Sequence, residues 1–105
     1  MIKAQDIVES IADAFQFISY YHPKDFIDAV FTAYKKEQSL AAKDALAQIL
    51  TNSKLCAIGK RPICQDTGIA TIFVKIGHNC KFDFNNESLT DLLNEGVRLA
   101  YTDRN

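Results

Sequence analysis

The chain has 105 residues, enough for one domain with a modest core. Lys plus Arg number 12 against 13 Asp plus Glu, a net charge of −1, which excludes a basic nucleic-acid arm or a polybasic membrane patch. With 4 Gly and 2 Pro it is no linker, and its longest apolar run, Ile69 to Val74 broken by Thr71, falls far short of the roughly 20 residues that span a bilayer.

Ile7, Ile11, Phe15 and Ile18, with Ala14 beside them, recur at helical spacing, and Asp6, Glu9 and Asp13 fall mainly on the other face. The same charges leave no room for a signal-peptide core, so a cytoplasmic location is expected. The helix stops before Pro23, which disfavours the helical region for its predecessor and itself suits the first position of a second helix. That helix carries Asp25 in its first turn, the stripe Phe26, Ile27, Val30, Phe31 and Tyr34, and Lys35 and Lys36 at its end, where the helix dipole favours cations. Ser39 reads as the N-cap of a third helix with the stripe Ala42, Ala45, Leu46, Ile49 and Leu50. Thr51, Asn52 and Ser53 read as a fraying end, and Gly59 stops any continuation.

Ile69 to Ile76 is rich in β-branched and aromatic residues and reads as a strand. Gly77-His78-Asn79 is a turn signal, and Cys80 to Phe84 alternates like a partner strand, so a β-hairpin is predicted. Ser88 with Asp91 three residues on caps a last helix with Leu89, Leu92, Leu93, Val97 and Tyr101 inward. Asn86-Glu87-Ser88 matches a glycosylation acceptor but reads more simply as a turn with a helix cap. The fold expected is a single α+β domain over residues 1–105, mostly helical, with about four helices and a short hairpin.

The chemistry concentrates in Gly59-Lys60-Arg61-Pro62-Ile63-Cys64-Gln65-Asp66-Thr67-Gly68, between the third helix and the strand. Four consecutive residues supply a thiol, an amide, a carboxylate and a hydroxyl, with two basic side chains just before them. Three readings stay open on residue types alone. The run is a polar turn, with Asp66 capping local amides. Or Cys64 is a metal or cluster ligand. Or it is a nucleophile whose pKa Lys60 and Arg61 depress. A nucleophile would need a histidine, and His22 reads as a helix N-cap and His78 as a turn residue. The cysteines at 56, 64 and 80 match no C-x-x-C spacing, and an odd count disfavours a disulfide framework.

Ile63-Cys64-Gln65-Asp66-Thr67-Gly68 resembles the cluster-binding motif of class I fumarate hydratases, the iron–sulfur-dependent fumarases, and of their tartrate dehydratase relatives. Gln16-Phe17-Ile18-Ser19-Tyr20-Tyr21-His22-Pro23, Ala47-Gln48-Ile49-Leu50-Thr51-Asn52-Ser53 and Asn94-Glu95-Gly96-Val97-Arg98 resemble the same family's N-terminal region, in order and spacing. The likeness is greatest to the long bacterial form with both parts in one chain. It implies a hydro-lyase of the tricarboxylic acid cycle that interconverts fumarate and (S)-malate with a 4Fe-4S cluster held by three cysteines. By position in the motif, Cys64 is one cluster ligand, Gln65, Asp66 and Thr67 contact substrate, Asp66 assists proton transfer or holds the leaving hydroxyl, and Gly68 shapes the loop. The resemblance gives the other two ligands to later parts of a longer enzyme, so Cys56 and Cys80 are read as non-ligands.

The resemblance leads one to expect an N-terminal piece of a longer enzyme, a homodimer at full length, no nucleic-acid or membrane partner, and no cluster or activity in these 105 residues alone. Ile69, Phe73 and the last helix become candidates for surface that the rest of the enzyme covers. The alternatives are a small helical binding module without catalysis, whose weakness is a reactive loop it does not need, and a tartrate dehydratase-type subunit.

Overall fold

The structure, a computed structural model, describes residues 1–64 and 69–103. Its elements in order are β1 (Ile2–Lys3), α1 (Ala4–Tyr20), α2 (Lys24–Lys36), α3 (Leu40–Gly59), β2 (Phe82–Asp83) and α4 (Leu89–Thr102). The mostly helical α+β class is as expected, with four helices among the described residues. None of these helices is long and apolar enough to cross a membrane. The chain divides into two compact units: Met1–Phe17 with Asp66–Asn105, and Ile18–Gln65.

In the first unit the core is built on small residues. Fully buried Ala12 on α1 lies with Phe15 and with Ala100 of α4, and Ile11, Ile72, Val97 and Leu99 pack around them. Of the expected stripe, Phe15 is buried, Ile11 packs against the core and Ile7 is half-buried, while Ile18 is exposed; Val8 and Ala12 are buried beside them. The reason lies on α4, where Gly96 and Ala100 are buried with Leu92. A Cβ on Gly96 would sit 2.6 Å from the Ile11 Cβ and 2.9 Å from the Val8 carbonyl oxygen. Small residues let the two backbones approach.

The expected hairpin does not form. Residues 69–77 carry no strand, and β2 pairs in parallel with β1, Ile2 opposite Phe82 and Lys3 opposite Asp83. Turn geometry explains the difference. The Cys80 amide donates to the Gly77 carbonyl at 3.1 Å, so His78 and Asn79 are the central residues, and neither has positive φ. Tight hairpins need left-handed central residues, because the other turn types splay the strands. Such a pair occurs one turn later, at Asn85 and Asn86 (φ 50° and 69°), closed by the Glu87 amide on the Phe84 carbonyl. That turn leads into α4, which Ser88 caps by accepting from the Asp91 amide at 3.0 Å. Ile72 turns to the core, while Ile69 and Phe73 are 88% and 93% exposed.

In the second unit α2 and α3 pack together. Ile27, Val30 and Tyr34 of the α2 stripe are half-buried, and Phe26 and Phe31 are exposed. The Lys43 ammonium sits 4.9 Å above the Tyr34 ring, joining the two helices. Ser39 caps α3 as expected, its hydroxyl accepting from the Ala42 amide. The helix does not fray at Thr51-Asn52-Ser53 but runs on to Gly59.

The α1–α4 approach predicts that Gly96→Val lowers unfolding stability by about 2–3 kcal/mol, the cost of overpacking a close crossing. Gly77→Ala, with nothing near its added carbon and no positive φ, is expected to leave stability within about 1 kcal/mol of the parent. Thermal unfolding followed by circular dichroism reads both.

Candidate functional site

α3 ends at Gly59, and the left-handed residue that closes it is Lys60 (φ 53°, ψ 48°). The Lys60 and Arg61 amides both donate to the Cys56 carbonyl, so the helix end is satisfied by backbone alone. A non-glycine residue in this conformation is strained by about 1 kcal/mol, and the Lys60 ammonium, which donates to the Tyr21 hydroxyl and lies over its ring, holds it there.

The segment from Lys60 to Cys64 has no regular structure, yet the amides of Arg61 and Ile63 and the carbonyls of Pro62 and Ile63 all have partners. The Ile63 amide donates to the Ser19 carbonyl at 2.8 Å. The Ile63 carbonyl accepts from Asn52 Nδ2 at 3.3 Å. The Pro62 carbonyl lies 3.5 Å from the Cys56 sulfur, whose thiol also faces Asn52 Oδ1 at 3.7 Å. Asn52 and Cys56 are one helical turn apart, on the same face of α3. Beside them on the helix, buried Ser53 bonds His22 Nδ1 at 3.0 Å, and the imidazole stacks on Phe26 with centroids 4.5 Å apart. His22 is therefore no N-cap; Pro23 occupies that position without a side-chain bond, and the ring joins the chain before α2 to α3.

The three cysteines differ sharply. Cys64 is exposed, Cys56 is buried, Cys80 is half-buried, and none forms a disulfide. Cys56 lies with Cys64 in the second unit but turns its sulfur to backbone and amide oxygens, while Cys80 lies in the first unit. Of the expected site residues, Cys64 stands at the end of the tied segment. Gln65, Asp66, Thr67 and Gly68 lie outside the described residues. Among the described residues no three His, Cys, Asp or Glu side chains converge on a metal position. The described residues thus supply an exposed Cys64 thiol at this bend and no complete ligand cage. Cys64 itself is exposed and not packed in a core.

Sequence reasoning missed Ser19, Asn52, Ser53 and Cys56 as supports of this bend. The signal was present. Asn and Ser are weak helix formers, and in the middle of a helix they invite the question of what their side chains hold.

The sequence is similar to known proteins. A sequence model described as fumarate hydratase (Fumerase) matches residues 8–105. A protein of Methanocaldococcus jannaschii provisionally named L(+)-tartrate dehydratase subunit alpha is 38% identical over 78 residues, which is 74% of this chain and 26% of that relative. The chain therefore spans about a quarter of that relative's length.

The exposure difference predicts that iodoacetamide modifies Cys64 of the folded chain well before Cys56. In strong denaturant the two react at comparable rates. Peptide mass spectrometry over a time course checks the order, and early loss of Cys56 contradicts the geometry.

Proposed function

The chain belongs to the fumarate hydratase (Fumerase) family, and from that premise we propose that it forms the N-terminal part of an iron–sulfur hydro-lyase interconverting fumarate and (S)-malate. The observation that carries this reading is the tethering of residues 61–63, which delivers an exposed Cys64 thiol at the start of the Cys64-Gln65-Asp66-Thr67 motif. A binding module would have no use for so constrained a thiol.

In this reading Cys64 holds one iron of a 4Fe-4S cluster as a thiolate, and the other two cysteine ligands lie in the remainder of the enzyme. When bound, the cluster supplies a Lewis acid that polarises the hydroxyl being lost and a substrate carboxylate. The chain's own residues do the rest of what falls to this part. The Gln65 carboxamide donates to substrate oxygen, and the Thr67 hydroxyl orients the diacid. The Asp66 carboxylate holds the departing hydroxyl or carries a proton between substrate and solvent. Water adds across the double bond of fumarate, its hydroxyl to one carbon and its proton to the other. The assembled enzyme is a cytoplasmic homodimer, without nucleic-acid or membrane partners.

A second reading is favoured by the archaeal relative's name: the same chemistry on L-tartrate. Both substrates are four-carbon diacids that lose water from a carbon bearing hydroxyl, so the Cys64 to Thr67 segment serves either.

Two outcomes are expected of anaerobic reconstitution. The 105 residues alone take up no cluster, and a content of about four irons per chain would contradict the reading. In the whole gene product Cys64→Ser loses iron and activity together, whereas Cys56→Ser keeps both, because serine still donates a hydrogen bond. Malate and tartrate assayed side by side decide the substrate.

A further inference from the structure

The peptide group joining Ile63 to Cys64 fixes where the Cys64 α-carbon sits, because the peptide is planar and its oxygen, nitrogen and both α-carbons move together. That oxygen is held by one side chain, the Asn52 carboxamide, at 3.3 Å. Asn52 grips a second time through its oxygen, which faces the Cys56 thiol at 3.7 Å, while the same sulfur lies 3.5 Å from the Pro62 carbonyl. The Asn52 carboxamide therefore holds the Ile63–Cys64 peptide directly, and its oxygen shares the single Cys56 thiol proton with the Pro62 carbonyl.

Neither grip is needed to end the helix. Lys60 and Arg61 already close α3 on the Cys56 carbonyl through their own amides. Nor is Asn52 filling space, since it is exposed. Asparagine is a weak helix former, so its place in the interior of α3 is not explained by helix preference. What it does is remove freedom from the peptide that follows Ile63. The Ser19 carbonyl does the same for the peptide that precedes it, by accepting from the Ile63 amide at 2.8 Å.

We propose that Asn52 is a positioning residue that, together with Cys56, fixes the Ile63–Cys64 peptide and so sets the Cys64 thiolate in place before the iron–sulfur cluster binds. This rests on the reading of Cys64 as a cluster ligand. Ligands held by a second layer of hydrogen bonds lose less entropy on coordination and let go of metal more slowly.

The test uses the whole gene product, purified anaerobically, with two readouts: hydrogen exchange of the Ile63 amide, and the half-life of the cluster's visible absorbance in air. Asn52→Leu removes both grips. Asn52→Asp keeps the size and the oxygen facing Cys56 but puts a carboxylate against the Ile63 carbonyl, and being exposed it leaves folding intact. Both variants weaken the bend by at least one hydrogen bond, so the openings that release the Ile63 amide from the Ser19 carbonyl are expected roughly five- to tenfold more often, with cluster half-life shortened by a similar factor. The amides of Ala45 to Leu50, and the variant Lys54→Leu on the same helix, stay at parent values. Parent-like Ile63 exchange in Asn52→Asp overturns the proposal, and so does faster exchange with an unchanged cluster half-life. Cys64→Ser separates the two levels. Loss of cluster in Cys64→Ser with an unchanged half-life in the Asn52 variants sinks the positioning role alone. Retention of cluster in Cys64→Ser sinks the ligand reading and the positioning role with it.

Discussion

The carbonyl of Ile63 accepts from Asn52 and its amide donates to Ser19, across 3.3 and 2.8 Å. Between them these bonds hold both peptide groups of the residue before Cys64, in a stretch that has no helix or strand to hold it. An exposed thiol on a free loop samples many positions, and ordering it on binding costs about 1–2 kcal/mol of backbone entropy per residue. Here that ordering is already done by two neighbours: the end of α1, through Ser19, and the last two turns of α3, through Asn52 and Cys56. The length of α3 matters for the same reason. Had it ended at Thr51, neither Asn52 nor Cys56 would face the bend.

The second unit is otherwise lightly built. α2 has no fully buried residue, and α2 and α3 meet through half-buried aliphatics, a Lys–Tyr contact and the His22–Ser53 bond. Polar and aromatic links of this kind specify direction more than they add stability. The first unit relies on the opposite device. There Gly96, Ala12 and Ala100 let α1 and α4 approach until apolar atoms touch directly. One chain thus holds a close-packed helix pair and, in a separate unit, a hydrogen-bonded bend with a thiol at its end.

Much of this was legible in the amino acids. Ser39, Ser88 and Pro23 mark helix starts from local chemistry that tertiary contacts did not override; α3 does end at Gly59, but the left-handed residue that closes it is Lys60. The reactive loop was legible from its residue types and from its resemblance to the fumarases. The hairpin was not, because its outcome hung on the φ of His78 and Asn79, which no pattern of apolar residues encodes. The inward face of α1 was legible in Phe15 and Ile11 but not in Val8 and Ala12, because the close approach is decided by small residues on a helix more than 80 positions away. Thr51, Asn52 and Ser53 read as a fraying end because the partners of Asn52 and Ser53 lie beyond the helix, at Ile63 and His22. The Gln65 to Thr67 side chains lie outside the described residues, and their roles stand on the resemblance.

Binding of a cluster iron by Cys64 is tested most directly by footprinting that thiol. The whole gene product is alkylated anaerobically as purified and again after its iron is stripped by a chelator, and Cys64 is followed by peptide mass spectrometry. The predicted result is a Cys64 protected while iron is bound and modified rapidly once it is removed, with Cys56 slow in both. Equal modification of Cys64 before and after stripping would contradict it.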